Sequence, residues 1–93
     1  MSNSQVHGDP EKMRAFAGEL DKFAHDVKSE MERMKYRLGR LGETWRDRGF
    51  ADFVEQFKAA EKNVRDFVAE TEHVTPQLKR DAEALDNLLK VKL

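Results

Sequence analysis

The sequence predicts an all-α fold: an antiparallel helical hairpin that pairs with a second hairpin into a four-helix bundle dimer. Three observations carry this. Apolar residues recur every seven positions along two long stretches. One short segment, Gly42 to Phe50, separates the stretches and holds the only tryptophan. The apolar stripes are also wider than the narrow seam that two helices alone would bury. The composition agrees. The chain has 93 residues, 38% charged and 39% apolar, with five glycines and two prolines, which suits long, solvent-exposed helices.

Residues 1–8 carry no apolar pattern and are expected to be flexible; residues 9–93 are expected to form one helical-hairpin domain. The first helix opens at Asp9-Pro10-Glu11. Asp9 is a good N-cap, Pro10 suits the first helical position and Glu11 favours the positive end of the helix dipole. Met13, Leu20, Val27, Met34 and Leu41 then recur at heptad spacing. Phe16/Ala17, Phe23/Ala24, Met31 and Leu38 fill the places between. The spacing predicts one helix over about 9–42, roughly 50 Å long.

The second helix is predicted over about 47–91, with Asp47 as its cap. Phe50, Phe57, Val64, Thr71, Leu78 and Leu85 form its heptad line, Thr71 being the one polar member. Phe53/Val54, Ala60, Phe67/Val68, Val74, Ala82 and Leu88/Leu89 flank that line. Pro76 falls on the outward side. It either kinks the helix there or ends it, with Thr75 capping a fresh segment; a kink is expected.

A short turn makes the helices antiparallel neighbours, with facing residues summing to about 91. Met34 then meets Phe57, Val27 meets Val64, Leu20 meets Thr71 and Met13 meets Leu78. Beyond Leu78 the first helix runs out. Ala82, Leu85, Leu88 and Leu89 are expected to project with nothing in the chain to cover them. Each large apolar side chain gains about 1.5–3 kcal/mol when fully buried, so a half-covered stripe favours pairing. The interface candidates are Phe16, Leu20, Phe23, Val27, Phe53, Phe57, Phe67, Leu85, Leu88 and Leu89. The partner is a second copy or a paralogous hairpin. Basic and acidic residues balance, 17 against 18, so the hairpin does not strongly repel itself, and a homodimer is favoured.

Catalytic, metal and cofactor sites are not expected. There is no cysteine, and His7, His25 and His73 lie far apart without a metal-binding helix pair. No phosphate loop, dinucleotide fingerprint or nucleophile elbow occurs. Neither a nucleic-acid partner nor membrane insertion is expected. The charge balance creates no global field, and no stretch approaches the roughly 18 apolar residues of a membrane span. The N-terminus lacks the apolar core of a cleaved signal peptide, so a cytoplasmic protein is expected, or one exported without such a signal. A basic cluster, Arg33, Lys35, Arg37, Arg40, Arg46 and Arg48, gathers near the turn. The plainer reading is cations placed at the C-terminal end of the first helix; the sharper one is a contact surface for an acidic partner or a nucleic-acid backbone.

Two arms of similar length, no cysteine, no signal peptide and Trp45 at the turn give a layout that resembles the WXG family. These are small helical-hairpin substrates of type VII secretion, similar to the early secreted antigenic target and its partner. Phe53 and Phe57 fall where such proteins place aromatics after the turn. Trp45 carries over directly. The glycine does not, because the sequence reads Trp45-Arg46-Asp47, and Asp47 can both turn the chain and cap the next helix. Family members often carry a Tyr-x-x-x-Asp/Glu export signal. The only tyrosine here is Tyr36, with Arg40 four residues on. Asp81, Leu85 and Leu89 fit the apolar tail pattern of some members, with Gln77 at an otherwise apolar step. The resemblance implies a non-enzymatic secretion substrate, co-substrate or carrier whose turn motif, Trp45, Asp47 and Gly49, meets a partner. It implies a secretion ATPase or a larger effector as further partners. The alternative is a cytoplasmic coiled-coil adaptor with no export role.

Overall fold

The computed structural model describes residues 7–91, in which the chain forms α1, Pro10–Leu41, and α2, Arg48–Val91. Residues 1–6 of the expected flexible terminus lie outside the described residues. The helices run antiparallel, about 48 and 66 Å long from their residue counts, and the molecule measures 69 × 24 × 14 Å.

Both starts have local causes. The Asp9 carboxylate accepts from the backbone N–H groups of Glu11 (3.0 Å) and Lys12 (3.4 Å), and Pro10 occupies the first turn, where a missing N–H costs nothing. Asp47 caps α2 by accepting from the Phe50 N–H at 3.2 Å. At the end of α1 the chain stays right-handed through Gly42 (φ −66°), and the Leu41 carbonyl accepts from both Thr44 and Trp45. Gly42 is small for a packing reason. A Cβ there would stand 2.8 Å from the tip of the Phe50 ring.

α2 runs uninterrupted through Pro76, so the alternative of a break with Thr75 capping a new segment is corrected. The Thr75 side chain is engaged across the seam instead: its hydroxyl donates to Asp21 Oδ1 at 2.6 Å.

The buried side chains between the helices are mostly small: Ala17, Ala24, Thr71, Thr75 and Ala82, with Leu85 the large exception. Small residues let the axes approach closely and leave little room for larger ones. The Thr71 hydroxyl is satisfied within its own helix, donating to the Val68 carbonyl at 2.7 Å. Polar pairs fix the register along the seam. Arg14 meets Asp86 (3.0 Å), Lys79 meets Asp21 (3.2 Å), and Lys35 meets Glu61 (2.9 Å).

The expected register fits the middle of the hairpin, where Phe23 contacts Phe67 and Val27 shares a groove with Val64. At the open end it needs correction. α1 covers more of α2 than expected, and Ala82 and Leu85 are buried inside the hairpin. Gly8 closes over Leu85, so near that a Cβ there would lie 2.9 Å from the leucine Cδ2. The uncovered overhang therefore starts at Leu88 and Leu89, both well exposed.

Candidate functional site: the hairpin tip and the open apolar face

The tip is built from five residues. Trp45 packs its indole against Phe50, with ring centroids 5.3 Å apart and an edge-to-face tilt of 60°. Phe53, one turn further along α2, lies 6.0 Å from the same indole. The indole N–H donates to Asp47 Oδ1 at 2.7 Å, the oxygen that also accepts from the Phe50 N–H. Gly49 lies beneath this arrangement. A Cβ there would stand 3.1 Å from Asp47 Oδ1 and 3.3 Å from Trp45 Cζ2. The three sequence-predicted turn residues, Trp45, Asp47 and Gly49, thus come together as one unit. Its close-approach glycine stands at 49, two positions beyond the aspartate. Trp45 is half-buried, while Asp47 and Gly49 are exposed.

Along the hairpin the interface candidates divide. Phe16 and Phe23 are 56% and 55% exposed, unusual for phenylalanines facing a helix neighbour. Phe53, Phe67, Leu88 and Leu89 are also exposed, and Leu20, Val27 and Phe57 are half-buried. Leu85 alone is buried within the hairpin. Phe53, Ala60, Phe67, Val74 and Leu88 share one heptad line of α2, broken once by Asp81. Phe16 and Phe23 share one of α1. The edge-to-face contact of Phe23 with Phe67, 5.8 Å between centroids, joins the two lines into a single open face.

The basic cluster is partly neutralised. Arg33 pairs with Glu30, Lys35 with Glu61, and Arg40 with Glu43 at 3.7 Å. Among the described residues Arg37, Arg46 and Arg48 make no ion pair. Exposed Tyr36 sits among Arg33, Arg37 and Arg40 on the outer side of α1. His25 and His73 are exposed, and among the described residues no group of three or more histidine, aspartate or glutamate side chains could hold a metal.

The family model of the WXG100 proteins, described as proteins of 100 residues with WXG, matches residues 5–88. The chain belongs to the WXG100 family. WXG100 proteins are small, non-enzymatic helical hairpins associated with type VII secretion, and they generally form homo- or heterodimers. No curated protein and no solved structure matches the chain. No described helix is long and apolar enough to cross a membrane.

Sequence reasoning missed the Trp45–Asp47 bond and the Asp21–Thr75–Lys79 cluster. The first was readable in outline, because a Trp-x-Asp spacing at a helix start puts a donor and an acceptor within reach. The second was not. It depends on which residues of α2 pass Asp21, and so on the register of the open end.

Proposed function

We propose that this WXG100 hairpin works as a homodimeric four-helix bundle, a substrate, co-substrate or carrier of a type VII-like secretion system. The observation that carries the pairing is the open face of Phe16, Phe23, Phe53, Phe67 and Leu88. Area supports it. The chain exposes 7337 Å², whereas a compact monomer of its mass exposes about 5,500 Å². The excess belongs to an elongated molecule, 69 × 24 × 14 Å, with one apolar side left open.

The membership supports the secretion role, and the tip supports a recognition role within it. Trp45, Asp47 and Gly49 stand at the far end of the hairpin from Leu88 and Leu89. A partner can engage the tip while the bundle stays closed.

Three measurements test this. Light scattering at micromolar concentration is expected to give a dimer mass; a stable monomer overturns the homodimer, and a mass reached only with a paralogue replaces it with a heterodimer. In the native cell the protein is expected in the culture supernatant only while the secretion ATPase is intact. Retention in the cytosol under all conditions favours the adaptor reading. Trp45→Ala is expected to lower export severalfold while the dimer remains folded by circular dichroism.

A further inference from the structure

The tip has a feature that the family motif does not provide, because the family's glycine is replaced by Asp47. One carboxylate oxygen, Asp47 Oδ1, holds two donors at once: the Trp45 indole N–H at 2.7 Å and the Phe50 backbone N–H at 3.2 Å. The second bond starts α2. The first ties the tryptophan ring to that start. Phe50 and Phe53 brace the ring, and Gly49 leaves the space it needs.

We propose that Asp47 is a positioning residue that clamps the Trp45 indole to the first turn of α2 and so sets what the tip offers a partner. A free tryptophan on a turn samples several rotamers and presents its N–H to any acceptor. Here the N–H is already used, by a charged acceptor at short range. What Trp45 offers is therefore a half-buried ring with no free donor, with exposed Leu41 nearby in the chain and exposed Arg46 and Arg48 flanking it. Such a ring fits an apolar slot that carries no hydrogen-bond acceptor at its base. The ring is held in advance, so little rotamer freedom is lost on docking.

The recognition half of this inference rests on the reading of the tip as a partner element; the clamp itself does not. Two variants separate clamping from capping. Asp47→Asn keeps an acceptor oxygen at the same reach. Asp47→Ser keeps a good helix cap, but its hydroxyl stops one atom short of the indole.

The chain has one tryptophan, so a 15N–1H spectrum shows one indole signal, and its solvent exchange reads the clamp directly. The full-length wild type and Asp47→Asn are expected to exchange slowly. Asp47→Ser is expected to exchange about tenfold faster, with helical content unchanged by circular dichroism. Equal exchange in wild type and Asp47→Ser overturns the clamp. Export is then compared among the same three proteins in the native cell. Asp47→Asn is expected to match wild type and Asp47→Ser to fall severalfold. Equal export of all three, with the clamp present, overturns the positioning role. Retention of the wild type itself defeats the secretion reading alone, since the clamp is decided by the indole exchange.

Discussion

Asp21 places a carboxylate beside a seam that is otherwise mostly hydrocarbon. Its Oδ1 accepts from the Thr75 hydroxyl and its Oδ2 from the Lys79 ammonium. The Thr75 bond, then the Lys79 bond, hold its carboxyl below the ordinary value of 3.8; partial desolvation opposes them, and the Lys79 charge adds to them. A carboxyl whose folded pKa lies below its unfolded one contributes stability above the unfolded pKa and loses it as pH falls through the folded pKa. The hairpin should therefore weaken below about pH 4, and part of that loss belongs to Asp21. Asp21→Asn is expected to flatten the acid limb of a melting-temperature profile between about pH 6 and pH 2, while lowering stability at neutral pH. An unchanged acid limb would assign it to other carboxylates, such as Asp26, which Lys22 also holds low. The two buried threonines should part company in the same way. Thr75→Val removes a bond between helices and is expected to lower the melting temperature. Thr71→Val removes only a bond to the Val68 carbonyl of its own helix, leaves no charge without a partner, and is expected to be near neutral.

Each helix presents a broad apolar arc, and the seam buries mostly its smallest members, Leu85 apart. Ala17 and Ala24 turn inward, and the adjacent Phe16 and Phe23 are left to one side. This marks the limit of what was legible in the sequence. Heptad spacing, Asp9, Pro10 and Asp47 gave both helices, the turn and the helix ends to within a residue. The pattern could not choose between Phe16 and Ala17, because neighbours in sequence lie about 100° apart and both fall within the apolar arc. The choice depends on how closely the axes approach, and that is set by all the seam residues together. The buried alanines make the consequence measurable. Ala24→Leu is expected to force the helices apart and cost about 1–3 kcal/mol in denaturant unfolding. A neutral result would mean that the seam has slack. Pro76 poses the opposite case. It sits exposed in a continuous helix and cannot donate to the Glu72 carbonyl, so Pro76→Ala is expected to raise stability by about 1–3 kcal/mol. A loss of stability would show that the seam depends on a backbone path that proline imposes.

Taken as a whole, the molecule is a thin plank. Its radius of gyration is 20.8 Å, against about 12 Å for a compact chain of this length. A plank has too little interior for six phenylalanines, and the burial pattern puts most of them at its surface. Pairing two such planks through their open faces would bury Phe16, Phe23 and Phe67 at about 1.5–3 kcal/mol each when fully covered. Folding and association are then coupled, and the melting temperature should rise with protein concentration. Two aspartate substitutions distinguish the levels of structure. Leu85 is buried under Gly8 inside one hairpin, so Leu85→Asp is expected to unfold the hairpin itself, with loss of helical signal at every concentration. Phe23 is more than half exposed, so Phe23→Asp leaves the hairpin's own seam intact and places a charge in the face between copies. It is expected to give a helical monomer whose melting temperature no longer depends on concentration. If Phe23→Asp dimerises like wild type, the copies pair through another surface. The Phe16, Phe23 and Phe67 face would then be free for a different protein.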